Sequence, residues 1–133
     1  MIKPAAIDHL VLRTNHYQPL IEFYCSVLGC VVEREVAAIG LTQLRAGSAL
    51  IDIVDVQSKL GRLGGPAPDP KGNNLDHFCL QLEPFDESEL LAWLRERGVD
   101  VGEFEERYGA QGVGRSLYIK DIDGNTVELR SVQ

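Results

Sequence analysis

The stretch I-D-H-L-V-L at residues 7–12 returns 68 residues later as L-D-H-F-C-L at residues 75–80. An Asp-His pair inside an apolar run thus occurs twice, and the flanking sequence repeats with it. After the first copy comes L-I-E-F-Y-C-S-V-L-G, ending at Gly29; after the second comes L-L-A-W-L-R-E-R-G, ending at Gly98. Each half closes on a strand-like run with an acid in its middle, A-L-I-D-I-V at 49–54 and N-T-V-E-L-R at 125–130. A fixed order of strand, helix, glycine and acidic strand, met twice, identifies an internal duplication.

Residues 6–14 alternate as a strand does. Over 17–28, Leu20, Phe23, Tyr24, Val27 and Leu28 fall at helical spacing with Gly29 as the stop. Strands are expected at 30–37, 41–46 and 48–55, with Gly40 and Gly47 at the turns. The segment 57–74 holds four Gly and three Pro and reads as a linker. Beyond it, a strand is expected at 75–82. Asp86 and Glu89 have capping-box spacing ahead of a helix. Further strands are expected at 99–106, 115–120 and 126–131, the last two joined by a tight D-I-D-G-N turn in which Gly124 and Asn125 supply left-handed backbone. Each half is β-α-β-β-β. The expected fold is α+β, one domain over 1–133, with module one at 5–56, the linker at 57–74 and module two at 75–131.

Successive strand residues face opposite ways. Leu10 and Leu12 suit a helix-packed face and His9 the other. Asp52 stands opposite Ile51 and Ile53, His77 opposite Phe78, Leu80 and Leu82, and Glu128 opposite Val127 and Leu129. Read singly, these are ordinary polar residues on half-buried strands. Read together, histidine on the first strand and carboxylate on the last, in both halves, make two imidazoles and two carboxylates, a donor set for a divalent metal. The four line one concave surface if the two sheets curve toward each other.

The formal net charge is −7, which disfavours a nucleic-acid partner because phosphate neutralisation needs clustered Lys and Arg. Hydrophobic residues make up 44% of the chain, enough for an ordinary core. Three cysteines (Cys25, Cys30, Cys79) without a C-x-x-C pair argue against a disulfide framework and for a reducing compartment. No signal-like h-region and no apolar run of membrane-spanning length is found, so a cytoplasmic protein without a membrane partner is expected. Cys25 and Trp93 fall on core-facing positions, and His16 on a surface one. Cys79, two residues after His77, either contacts substrate or fills space, the latter being favoured. Tyr118 and Arg130 lie on strands near the four polar residues and are candidate substrate contacts. G-A-Q-G-V-G at 109–114 is either a mobile lid or a hairpin; its spacing does not match a nucleotide-binding glycine loop.

The runs I-D-H-L-V-L, F-Y-C-S-V-L-G-C, L-D-H-F-C-L and S-L-Y-I-K-D-I-D-G-N-T-V-E-L-R together resemble the vicinal oxygen chelate superfamily, over roughly residues 5–131. That superfamily includes glyoxalase I, fosfomycin-resistance enzymes, extradiol dioxygenases and bleomycin-resistance proteins. Its members usually read D-P-D-G-N where this chain has Ile122. The resemblance implies tandem βαβββ modules forming a U-shaped mixed sheet around a metal, a dimer, and ligands at His9, His77 and Glu128. In glyoxalase I the fourth ligand is usually Glu; here Asp52, one methylene shorter, holds that position. The implied reaction is of the lactoylglutathione lyase type, with a divalent ion (Ni, Zn, Mn, Co or Fe), a small substrate carrying adjacent oxygens and linked to glutathione in the lyase case, and Glu128 or Asp52 as the proton-moving base. His9 and Arg13 match the family's H-x-x-x-R, whose Arg contacts the glutathione carboxylate; the companion Asn is replaced by Val56, and a surface Arg at a strand end is the equal alternative. Two other readings stand beside this one: an Fe(II) extradiol-type dioxygenase using His9, His77 and Glu128, and a non-catalytic binder of a basic drug, which the acidic charge suits.

Overall fold

A computed structural model describes residues 1–133. The chain divides into two compact units, Met1–Gly72 and Asn73–Gln133. No helix is long and apolar enough to cross a membrane.

The first unit runs β1 (His9–Thr14), α1 (Tyr17–Glu22), β2 (Val31–Val36), β3 (Leu41–Ala46), β4 (Ala49–Asp55) and a short α2 (Lys59–Arg62). The second runs β5 (His77–Leu82), α3 (Glu87–Glu96), β6 (Glu105–Gly109), β7 (Gly112–Lys120) and β8 (Thr126–Ser131). Each forms a four-stranded mixed sheet, in the orders β1-β4-β3-β2 and β5-β8-β7-β6. The outer strand β1 pairs parallel to β4, as β5 does to β8; the remaining pairs are antiparallel. A parallel pair needs a crossover rather than a hairpin, and in each unit the helix and two intervening strands supply it. The two-module βαβββ expectation is therefore met.

The order puts the acidic strand of each unit inside its sheet and the histidine strand on the edge. In β4, Ile51, Asp52, Ile53 and Val54 are all buried, and in β8 so are Val127, Glu128, Leu129 and Arg130. One face of the first sheet carries Leu12, Leu44, Ile51 and Ile53 into a core with Leu20, Ile21, Phe23 and Tyr24. The last four come from α1 and from the turn that follows it. In the second unit Leu117, Ile119, Val127 and Leu129 are buried, as is Leu94 of α3.

Several boundaries differ from expectation. The single helix expected over 17–28 is α1 followed by a π turn at Phe23–Val27. The strand expected at 99–106 begins only at Glu105. Val99 instead closes α3: Gly98 turns left-handed (φ 73°), its N–H donates to Arg95 O, and the Val99 N–H donates to Leu94 O. That is a Schellman ending, with buried Val99 as its apolar contact against the last turn. In the first unit the corresponding bond runs from Cys30 N–H to Tyr24 O, one residue wider, as the π turn requires. Asp86 caps α3 through Glu89 N–H at 3.0 Å, as its spacing predicts. Within the expected linker, Ser58 caps α2. The 109–114 segment is a tight hairpin, Gly109 pairing with Gly112. In the D-I-D-G-N turn only Gly124 has positive φ. Asn125 contributes its side chain instead, donating to Asp121 Oδ2 at 2.8 Å, while Asp121 Oδ1 accepts from the Asp123 and Asn125 N–H groups. Trp93 is 43% exposed rather than core, with the Arg97 guanidinium stacked on its ring.

Candidate metal centre

The duplication extends to strand register. In the first unit His9 lies opposite Leu50, and Val11 opposite Asp52. In the second His77 lies opposite Thr126, and Cys79 opposite Glu128. The histidine and the acid therefore stand in the same diagonal relation on adjacent parallel strands in both units, on the face away from the core.

Each histidine is held the same way. His9 Nδ1 lies 2.7 Å from Asp8 Oδ2, and His77 Nδ1 lies 2.7 Å from Asp76 Oδ2. An ionised carboxylate only accepts, so Nδ1 carries a proton and Nε2 is the nitrogen left to face a cation. That is the arrangement in which metal-ligating imidazoles are usually found. The repeated Asp-His pair is visible in the sequence, and the structure shows that each Asp holds the ring of its neighbour. The hydrogen bond to Asp8, followed by the charge of Asp52, raises the His9 pKa above its ordinary value.

The acids are held differently. Asp52 is 4% exposed; its Oδ2 accepts from Gln43 Nε2 at 3.2 Å, and its Oδ1 has no partner. Gln43 in turn accepts from Arg34 Nη1 at 3.2 Å. Glu128, also buried, brings Oε1 to 3.3 Å from His77 Nε2, with Oε2 3.9 Å from Arg130 Nη1.

Two observations fit a divalent cation. A buried carboxylate oxygen without a partner is costly, and a cation is a group that offsets the cost. Two donors sharing a tetrahedral cation at bonds of about 2.0–2.1 Å stand about 3.3 Å apart, which is the His77–Glu128 separation. No group of three or more His, Cys, Asp or Glu side chains gathers in the structure. Each unit thus offers a pair of donors rather than a complete ligand set.

The other sequence-selected residues fall as follows. Tyr118 lies opposite Glu128 on β7, its ring edge-on to His77 at 5.2 Å between centroids. Arg107 stacks over Tyr118, 4.3 Å from the ring centroid, and donates to Ser116 O and Oγ. Nothing in the sequence singled out Arg107, because its strand was expected to end before it. Cys79 is exposed beside Glu128, and partial enclosure together with that carboxylate pushes its thiol to about 11. Arg13 is turned to the chain that follows β4, donating to the carbonyls of Gly61, Gly65 and Pro66.

Two βαβββ units, each with a histidine and a buried carboxylate in identical register, define a paired-module protein. Comparison with known families gives that class a name. Residues 6–129 match the model of the Glyoxalase/Bleomycin resistance protein/Dioxygenase superfamily, and the chain belongs to it. Among solved structures, an integron cassette protein from the mobile metagenome of V. cholerae is 25% identical with a TM-score of 0.76, covering 100% of this chain and 99% of its own. Lactoylglutathione lyase from Agrobacterium tumefaciens is 21% identical with a TM-score of 0.68, covering 96% and 94%. A variant of the fosfomycin resistance protein FosX from Listeria monocytogenes, complexed with Mn(II) and dihydroxypropylphosphonic acid, is 17% identical with a TM-score of 0.70, covering 98% and 93%. A search of curated proteins finds no significant match.

Proposed function

We propose that this protein is a divalent-metal-dependent lyase or isomerase of glyoxalase type, acting on a small substrate with two adjacent oxygens. The observation that carries the reading is the repeated half-site: an Asp-anchored histidine beside a buried carboxylate, one of them with an unpartnered oxygen. His9, Asp52, His77 and Glu128 are the proposed ligands. When bound, the ion supplies Lewis acidity that stabilises negative charge developing on the substrate oxygens. Glu128 is the proposed base that carries a proton between neighbouring substrate carbons, with Asp52 the second candidate. Tyr118 and Cys79 border the His77–Glu128 pair and are proposed to meet substrate there.

The engagement of Arg13 with three backbone carbonyls favours a substrate that does not need it as a carboxylate anchor. A free hemithioacetal or another small α-hydroxycarbonyl compound fits better than a glutathione adduct. The test is metal analysis of protein purified without chelator, then loading with Ni, Zn, Mn, Co or Fe(II). One metal per chain is expected, together with turnover of hemithioacetals of methylglyoxal with small thiols, followed by absorbance. Absence of stoichiometric metal under every loading condition overturns the reading. Oxygen uptake with a catechol by the Fe(II) form would favour the dioxygenase chemistry instead.

A further inference from the structure

Arg130 stands two residues beyond Glu128 on the same strand, and so on the same face. It is 4% exposed, the most enclosed cation for which a position near the metal centre was expected. Its surroundings explain how a guanidinium is accommodated there. Nη2 donates to Gly112 O at 3.1 Å and to Arg107 O at 3.5 Å, both in the β6–β7 hairpin. Nη1 faces Glu128 Oε2 at 3.9 Å. The hairpin is walled by glycine at the two points where the guanidinium lies on it. A Cβ on Gly109 would stand 2.1 Å from Nη1, and a Cβ on Gly114 2.5 Å from Nη2. Neither glycine has a positive φ, so backbone conformation does not require glycine at these places; space does.

We infer that Arg130 is a positioning residue for Glu128, and that Gly109 and Gly114 form the slot that holds it. The hairpin fixes the guanidinium, the guanidinium faces one carboxylate oxygen, and the other oxygen is left directed at His77 Nε2. This rests on the proposed ligand role of Glu128 and replaces the expectation that Arg130 meets substrate. Its Nη2 donates to backbone carbonyls, and its Nη1 forms an ion pair with Glu128.

The test uses the full chain with Mn(II) as the probe, at a temperature well below the unfolding transition of every variant. Arg130→Met should weaken Mn(II) binding about 10–100-fold, the range for losing a group that orients a ligand. Arg130→Lys, which keeps the charge, should recover part of the loss. Gly109→Ala and Gly114→Ala leave every polar group in place, yet each should weaken binding in the native background and have no further effect beside Arg130→Met. Equal losses in both backgrounds would overturn the inference. A second readout needs no metal: the ¹³C shift of the Glu128 carboxyl in glutamate-labelled protein, assigned by its loss in Glu128→Gln. It should move in Arg130→Met and in Gly109→Ala alike; no movement in either would overturn the positioning role. Native protein that binds none of Ni, Zn, Mn, Co and Fe(II) sinks the metal reading alone, and the carboxyl shift still decides this one.

Discussion

The two units share topology and register but differ in how they hold the acid of the central strand. In the first, Asp52 is steadied by a neutral amide, Gln43, and keeps one buried oxygen without a partner. In the second, the longer Glu128 reaches His77 and lies beside the Arg130 cation. Asp52 therefore keeps one uncompensated oxygen, whereas each oxygen of Glu128 has a protein group beside it. The difference follows from one methylene and from what sits two residues further along: Val54 in β4, Arg130 in β8. It teaches that a duplicated scaffold fixes where donors stand, while side-chain length and neighbours fix how ready each donor is.

The largest expected effect tests the donors themselves. Removing an imidazole by His77→Ala or His9→Ala should cost more metal affinity than the about 10–100-fold typical of losing a supporting group. Calorimetric titration with Ni(II) or Mn(II) measures it. His77 already stands at the separation from Glu128 that a shared cation needs, so His77→Ala should be the worse of the two; equal losses would make the halves equivalent. Next, Asp8→Ala and Asp76→Ala should each lower metal affinity about 10–100-fold by freeing the ring that the carboxylate orients. Both carboxylates are exposed, so the urea midpoint of the metal-free protein should hardly change. A loss of fold stability without a loss of affinity would remove the orienting role.

Asp52→Asn carries opposite signs in its two readouts. Metal affinity should fall, because an anionic donor is lost. The metal-free protein should gain about 1 kcal/mol in urea unfolding, because a neutral amide is cheaper to bury there than a carboxylate with one oxygen unpartnered. Destabilisation of the metal-free form would mean that Asp52 has a partner in solution.

The smallest effect concerns the paired ions that brace each unit. Arg115 holds Glu87 of α3 through two contacts of 2.6 and 2.8 Å, and this bond keeps the Glu87 carboxyl below its ordinary value of 4.5. A depressed folded pKa contributes stability that is full above the unfolded value and is lost as pH falls through the folded one. Thermal melts between pH 6 and 3 should therefore show a slightly shallower acid-side decline for Glu87→Gln than for the native chain. A steeper decline would reverse the sign. Because the pair is exposed, the difference will be small.

Much of this was legible in the chain. The repeated Asp-His motif, the glycine-stopped helices and the acidic closing strands specified two βαβββ modules. Period-two alternation placed His9, Asp52, His77 and Glu128 on one kind of face. Two of the departures concern apolar residues whose partner is local rather than across a sheet. Val99, expected to open a strand, closes a Schellman ending against Leu94. Trp93 was read as core from helical spacing, but it lies under Arg97 at the surface.

The sequence alone determined which residues alternate, where helices stop and which motif repeats, because these are properties of neighbours along the chain. Strand order was decided only in three dimensions. It placed β4 and β8 inside their sheets, burying Asp52 and Glu128, and left the histidines on the edge strands. The partners of those acids were decided there too, since Gln43 and Arg130 act through register and through a hairpin brought close by pairing. Burial and pairing are sums over contacts distant in sequence, and alternation, which reports only a face, carries no record of them.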